Sequence, residues 1–270
     1  MTIAAGFFCS DGILLASDSL YSGSGYAVGE GPKFWVITKD DVVVVFGGAG
    51  YEPWLMRTKM EIERKISKGG LSQINIVSRI DQVLEKVANK IPPEWAFGAL
   101  VAIRNSEGLY LYESLGVSFL SPVRNHWQCV GTGQSLGLYF ATLLFREGMS
   151  LHWAKVVAAH LVKECKVYSD GCGGPTRFVE IPTVGDVIET DKPVEIEKFE
   201  AHLAPLTDVF GIVLPGSDRT ASDLSIAHRL QMLTEAINQA RRLAVAVMNA
   251  ADEPDTVQAT GVTKPPNAAE

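Results

Sequence analysis

The sequence predicts an α+β fold in which antiparallel sheets carry helices in pairs. Two short apolar stretches, 3–8 and 13–17, flank Asp11-Gly12, and an Asp-Gly pair in such a place is a strong hairpin signal. Further along, strand-like segments give way to two helices, then to more strands, two more helices and a strand. A parallel sheet needs strict alternation of strands and helices, so this order favours antiparallel sheets with helix pairs packed outside them.

The first half of the chain contains four predicted strands followed by two helices. After the opening hairpin, a second strand pair covers 33–37 and 42–46; the latter is a β-branched run typical of a strand buried on both faces, and it ends at Gly47. A helix is predicted from Pro53 to about residue 68, because proline is tolerated in the first turn. Apolar residues at three- and four-residue steps predict a second helix that ends before Pro92: Ile76, Ile80, Val83, Leu84, Val87 and Ile91.

The second half repeats this order. Helices are predicted at about 134–147, ending at Gly148, and at 150–166, where Ser150 is the expected N-cap. The predicted strands lie at 96–103, 109–113, 117–120, 127–130 and 177–181.

The C-terminal part is predicted to be an extension of the domain formed by residues 1–181. Beyond Pro182 prolines and acids are scattered, and a helix is then expected at 222–250 within an extension of 182–251. Residues 252–270 contain three prolines and no periodicity, and are predicted to be disordered. The helix carries a heptad stripe that fits either a partner helix or packing on its own domain: Ile226, Leu230, Leu233, Ile237, Ala240, Ala244 and Val247.

Composition narrows the class of protein. Hydrophobic residues make up 47% of the 270 residues, enough for a sizeable core. The formal net charge of −7 disfavours nucleic acid and anionic membranes as partners. The four cysteines form no Cys-x-x-Cys pair, no apolar run approaches the roughly 18 residues of a membrane-spanning helix, and the N-terminus has no cationic leader. The expectation is a cytoplasmic protein that needs no cofactor and no metal.

Several short motifs stand at the ends of these elements. They are Thr2 four residues before Gly6, Asp11-Gly12, Ala16-Ser17-Asp18, Lys33, Gly47, Gly131-Thr132-Gly133-Gln134, Tyr168-Ser169 and Gly173-Gly174. In this order and spacing, over about residues 2–181, they resemble the proteasome β-type subunits and their bacterial relatives, which are N-terminal-nucleophile (Ntn) hydrolases. The resemblance implies a four-layer αββα sandwich and a homo-oligomer, with ring formation and an ATPase partner left open.

Thr2 is the predicted nucleophile of a hydrolase that cleaves amide bonds in a peptide or protein substrate. Methionine aminopeptidases remove Met1 when the second residue is small, which would leave Thr2 with both a hydroxyl and an α-amine. The ordinary pKa of that amine, about 7.7–8, suits a general base at neutral pH. Without this role, Thr2 is a β-branched residue that begins an edge strand.

The resemblance assigns roles to seven further residues. Lys33 lies beside the Thr2 hydroxyl and Asp18 balances its charge, whereas otherwise both are solvated turn residues. The Gly47 N–H is an oxyanion-hole donor, or else Gly47 only ends its strand. Thr132 and Ser169 supply hydroxyls near the terminal amine, or are ordinary turn residues. Phe46 and Ala49 are expected to line the site.

Two departures from the family pattern favour a rival function. Leu20 stands where active subunits carry an arginine, and Lys166 replaces an acid, a loss for which Asp170 could compensate. A catalytically inactive scaffold or assembly protein is therefore one alternative. A small-molecule amidase is another, because the wider superfamily uses the same nucleophile on other amides.

Two other motifs carry less weight. Gly131-Thr132-Gly133 with Gly137 superficially matches a dinucleotide-binding loop, but the required βαβ order and the following acid are missing. His152, His160 and Glu164 share one helix face at spacings that make a poor metal site, so surface or interface polarity is expected there.

Overall fold

A computed structural model describes residues 2–23, 26–68, 72–92, 97–116 and 119–190, together with Ile196, Phe199, Gln231, Glu235 and Arg242. The chain divides into two compact units, Met1–Leu203 and Ala204–Glu270. In the second unit, Gln231, Glu235 and Arg242 are helical and exposed. The heptad stripe between 226 and 247 and the predicted disorder of 252–270 lie outside the described residues, and the domain boundary near residue 181 stays a prediction.

The first unit is a mixed α+β structure. Its helices are α1 (Glu52–Ile66), α2 (Gln73–Ala88), α3 (Gln134–Leu144) and α4 (Leu151–Tyr168). Its strands are β1 (Ile3–Cys9), β2 (Gly12–Ser17), β3 (Leu20–Gly23), β4 (Tyr26–Glu30), β5 (Phe34–Lys39), β6 (Val42–Ala49), β7 (Gly98–Asn105), β8 (Gly108–Ser114), β9 (Ser121–Pro122), β10 (Trp127–Gly131), β11 (Arg177–Pro182) and β12 (Ile188–Thr190).

The strands form two five-stranded sheets and a separate hairpin, all antiparallel. The first sheet has the order β10-β1-β2-β11-β12 and the second the order β5-β6-β7-β8-β9, while β3 pairs with β4. The predicted antiparallel α+β class is therefore confirmed.

Among the residues that the structure describes, three apolar clusters form the core. One consists of side chains from β1, β2, β10, α3 and α4. A second consists of side chains from the four strands β5, β6, β7 and β8 and from α1 and α2. The third consists of side chains from both sheets, including Ala4 and Leu15 of the first and Val45 and Leu100 of the second. The alternation of side chains along each strand accounts for this division, because Ile3 and Ala5 belong to the first cluster whereas Ala4, between them, belongs to the third.

Several predicted element bounds are wrong. α3 ends at Leu144 rather than near residue 147, because Phe145 adopts an extended backbone and buries its ring against Phe7, with ring centroids 5.2 Å apart. The pairing of β6 with β7 continues through Gly47 to Ala49, so Gly47 lies inside a strand. The β3–β4 hairpin was not expected at all, since its segment is rich in glycine and shows no alternation. A strand is predicted at 117–120, whereas in the described range 119–122 the strand residues are Ser121 and Pro122.

The N-terminus of α4 is capped from a distant turn. Ser150 occupies the expected N-cap position, but its side chain makes no capping hydrogen bond. Instead, the Leu151 N–H donates to the Asp11 carboxylate at 2.7 Å. Asp11 belongs to the turn between β1 and β2, so this contact ties the first hairpin to α4.

Across the described ranges, no helix has the length and apolar character needed to span a membrane.

Candidate active site

Three predicted site residues lie at strand ends that meet at one place. Thr2 directly precedes β1, Asp18 directly follows β2, and Lys33 directly precedes β5. Because β1 and β2 are antiparallel neighbours, with Ala4 opposite Ser17, the start of β1 lies beside the end of β2. The start of β5 brings Lys33 from the second sheet to the same point.

The side chains of these residues form a buried hydrogen-bond chain. The Lys33 ammonium donates to Thr2 Oγ1 at 2.5 Å, and the Thr2 hydroxyl donates to Asp18 Oδ1. Thr2 is 2% exposed, Asp18 0% and Lys33 3%. The alternative expectation for Asp18 and Lys33, that they are solvated turn residues, is wrong because both are buried. The alternative expectation for Thr2, that it begins an edge strand, is also wrong, because β1 lies between β10 and β2.

Asp18 is held by backbone donors as well as by the lysine. Its Oδ1 accepts from the Ile3 N–H at 3.1 Å, and its Oδ2 accepts from the Gly173 N–H at 3.0 Å. Lys33 Nζ lies 3.7 Å from Oδ1. A buried carboxylate needs an opposite charge and several donors, and this site provides both.

Lys33 is held on its other side by residues that sequence reasoning missed. Its ammonium donates to the Leu20 carbonyl at 2.7 Å and lies 4.8 Å from the ring centroid of Tyr21. Burial lowers the pKa of Lys33 below its ordinary value of 10.5, and Asp18 opposes that shift. Nothing in the glycine-rich segment around Tyr21 signalled this contact, because it depends on the return of the chain through β3 and β4.

The corner around Thr132 holds the backbone of Thr2. The Thr2 N–H donates to Thr132 Oγ1 at 3.1 Å, and that hydroxyl lies 3.3 Å from the Thr2 carbonyl oxygen. The Gly133 N–H also donates to this carbonyl, at 3.3 Å. Gly131 has φ +108°, and a Cβ there would lie 2.2 Å from the same oxygen, so the corner requires glycine.

Gly47 lies opposite Phe34 in the β5–β6 pair, next to Lys33. A Cβ on Gly47 would lie 2.1 Å from the Lys33 carbonyl oxygen, which also accepts from the Gly48 N–H at 3.1 Å. The close approach of β6 therefore fixes the backbone of Lys33. Of the two neighbours expected to line the site, Ala49 lies near Gly131, whereas Phe46 packs on Trp35 in the cluster of α1 and α2.

A small pocket of about 80 Å³ adjoins Lys33 at the end of the first sheet. Its walls include Ser17, Phe34, Arg177 and Glu189.

The fold resembles solved structures of proteins described as Anbu (ancestral beta-subunit). One, from Yersinia bercovieri, is 13% identical with a TM-score of 0.68, covering 77% of this chain and 96% of that one. A mutant form from Hyphomicrobium sp. strain MC1 is 14% identical with a TM-score of 0.68, covering 83% and 99%. The chain therefore shares the fold of these two proteins. No protein-family model and no curated protein matches the chain.

Ser169 is the predicted site residue that the structure does not bring into the group. Its N–H donates to the Cys165 carbonyl at the end of α4, and none of the hydrogen bonds described around Thr2 involves its hydroxyl. The Sγ of Cys172 lies 3.9 Å from Thr132 Oγ1. Burial and the nearby Asp18 raise the pKa of this thiol.

The two departures from the family pattern have clear structural positions. Leu20 contributes its backbone carbonyl to Lys33, and Lys166 donates to the Gly174 carbonyl and to Thr176 Oγ1, at 3.3 and 2.7 Å. Asp170 is exposed at the turn after α4, and the contacts described around Thr2 do not include it.

The expected surface role of His160 is wrong. His160 is buried, with its ring edge-on to Phe140 at 5.1 Å, and its Nδ1 lies 3.8 Å from Glu164. Burial lowers the pKa of His160. Among the described residues, no group of three or more His, Cys, Asp or Glu side chains could hold a metal ion.

Proposed function

We propose that this protein is an Ntn hydrolase that cleaves amide bonds, in peptides first of all, through Thr2 after removal of Met1. The observation that supports it most directly is the buried Thr2 hydroxyl, which accepts from Lys33 and donates to Asp18. A buried ion pair costs desolvation energy, so a hydroxyl held between its two members suggests chemistry at that oxygen.

The proposed reaction is acyl transfer in two stages. The free amine of Thr2 takes the hydroxyl proton while Oγ1 attacks the carbonyl carbon of the substrate. The ammonium of Lys33 stabilises the developing alkoxide, and the Gly47 N–H is the proposed donor to the oxyanion. The protonated Thr2 amine then gives its proton to the leaving amine, which departs as the C–N bond breaks. Water, deprotonated by the same amine, then attacks the carbonyl carbon of the remaining ester. The C–Oγ1 bond breaks, the protonated amine returns its proton to Oγ1, and the carboxylic acid product leaves.

Thr132 is the proposed holder of the Thr2 amine, since its hydroxyl lies 3.1 Å from that nitrogen. The described contacts of the Thr2 nitrogen do not include the Ser169 hydroxyl. Ser169 is therefore proposed to act only if substrate binding moves its hydroxyl toward the Thr2 amine. Asp18 positions Lys33 and orients the Thr2 hydroxyl.

The same proposal extends to architecture and assembly. The three apolar clusters fit a four-layer αββα sandwich, with a helix pair outside each sheet. Because similar structures carry the description beta-subunit, we expect a homo-oligomer that could close into a ring. An ATPase partner, left open by the sequence, is not part of this proposal.

Covalent labelling tests the proposed nucleophile. A peptide epoxyketone, which reacts with an N-terminal threonine through both its hydroxyl and its amine, should label the parent protein and fail to label Thr2→Ala. Thr142→Ala is the matched control, because Thr142 is an exposed threonine whose hydroxyl donates to Leu138 within α3. Equal labelling of parent and Thr2→Ala would overturn the proposal.

The inactive scaffold is the rival supported by particular observations. Leu20 supplies no side-chain charge, and the ammonium of Lys166 contacts Gly174 and Thr176. A folded, oligomeric parent protein that neither reacts with the electrophile nor cleaves peptides would favour the scaffold. Cleavage of small amides without cleavage of peptides would favour the amidase.

A further inference from the structure

Tyr21 contacts the same ammonium group that contacts the Thr2 hydroxyl. Lys33 Nζ lies 4.8 Å from the centroid of the Tyr21 ring, within the roughly 6 Å at which an aromatic face attracts a cation. Lys33 is 3% exposed, so little water competes for its charge. A cation–π contact is stronger in such a desolvated place than on a surface.

The backbone around the ring holds this contact in place. The Tyr21 hydroxyl donates to the carbonyl of Pro32, the residue before Lys33, and Lys33 in turn donates to the carbonyl of Leu20, the residue before Tyr21. The ring also lies against Gly31, where a Cβ would come within 2.5 Å of it. Two reciprocal side-chain-to-backbone contacts thus join the start of β3 to the segment that follows β4.

Other groups around Lys33 also bear on its charge. Asp18 lies 3.7 Å away and favours the ammonium form, as do Cys172 and Glu52, and Thr2 Oγ1 accepts a hydrogen bond from Lys33. Arg177, across the adjoining pocket, carries a like charge. Burial disfavours the charged form of Lys33, so it opposes the groups that favour the ammonium and lowers the pKa of Lys33.

We propose that Tyr21 is a positioning residue whose ring keeps Lys33 charged beside the Thr2 hydroxyl. Lys33 then acts as a fixed cation, and the proton of the Thr2 hydroxyl goes to the α-amine rather than to Lys33. The role of Lys33 in catalysis rests on the proposed function, whereas the effect of the Tyr21 ring on the charge of Lys33 does not.

The test measures the pKa of Lys33 by NMR of the lysine side chains in the whole protein. The Lys33 signal is assigned by its loss in Lys33→Arg. Tyr21→Phe keeps the ring and removes the hydroxyl, so the Lys33 pKa should stay close to that of the parent. Tyr21→Leu removes the ring and should lower it by about one pH unit. A series of phenylalanines with increasing ring fluorination at position 21 keeps the shape and should lower the pKa stepwise, which covers the case of a poorly folded Tyr21→Leu.

Trp54→Leu is the matched control, because the Trp54 ring lies under a different cation, Arg57, at 5.3 Å, and is not among the contacts described for Lys33. It should leave the Lys33 pKa unchanged. An unchanged Lys33 pKa across the fluorinated series would overturn the inference, as would an equal fall in Tyr21→Phe and Tyr21→Leu. A stepwise fall supports it even if the parent fails to react with the epoxyketone, and that failure would count only against the proposed function.

Discussion

At the scale of single residues, the site is an ion pair with a hydroxyl between its members. Lys33 and Asp18 are each costly to bury alone, and removing one partner of such a pair typically costs about 3–5 kcal/mol. The Ile3 and Gly173 N–H groups complete the hydrogen bonding of Asp18. The same contacts that stabilise the charges therefore fix the position of Thr2 Oγ1.

This arrangement predicts a bell-shaped pH dependence for acylation of Thr2. On the acid side, the rate should rise through the pKa of the terminal amine, about 7.7–8 ordinarily, because only the neutral amine accepts the hydroxyl proton. On the alkaline side, the rate should decrease as the pH rises, and this decrease should begin at a pH lower than 10.5. Burial lowers the pKa of Lys33, and the loss of its proton removes the cation. The measurement is the rate of epoxyketone labelling against pH.

Reversibility of the labelling rate is the control for this pH profile. Samples returned to pH 8 should recover the full rate, which separates titration from unfolding. A rate that stays constant up to pH 10.5 would contradict a required charge on Lys33.

The family resemblance assigned roles to three residues whose places in the fold also follow from local signals. Thr2, Asp18 and Lys33 stand at the ends of strands, and strand ends follow from turns and hydrophobic runs. Tyr21 could not be found in this way, because its contact depends on a hairpin without alternating pattern. Ser169 was placed by motif alone, and the described contacts leave it outside the group.

At the scale of elements, the β1–β2 turn and the β5–β6 turn have unequal roles. Asp11, in the β1–β2 turn, accepts from the first N–H of α4 across 140 residues of sequence, a contact that no local pattern signals. Asp41, in the β5–β6 turn, is exposed and directly precedes β6. Element bounds such as the end of α3 at Leu144 likewise depend on tertiary burial.

Asp11→Ala should therefore lower the free energy of unfolding by about 1 kcal/mol, the usual effect of losing a helix cap. Asp11→Asn keeps an acceptor and should retain most of the stability. Asp41→Ala is the control and should change it by less than about 0.5 kcal/mol. Urea denaturation measures all three, and equal stability of Asp11→Ala and Asp41→Ala would show that the contact with Leu151 contributes nothing.

At the scale of the whole molecule, the site exists only where the two sheets meet. The first sheet supplies Thr2 and Asp18, and the second supplies Lys33 and Gly47. Side chains from both sheets form the third apolar cluster, which holds these strand ends together. The geometry of the site thus depends on the packing of the complete first unit.

The central claim is that Thr2 becomes the first residue of the mature protein. Its most direct test is intact-mass spectrometry, with N-terminal peptide sequencing, of the protein from its native cell. We expect a chain that begins at Thr2 with a free amine. A retained Met1 would block the proposed base and overturn the proposed function.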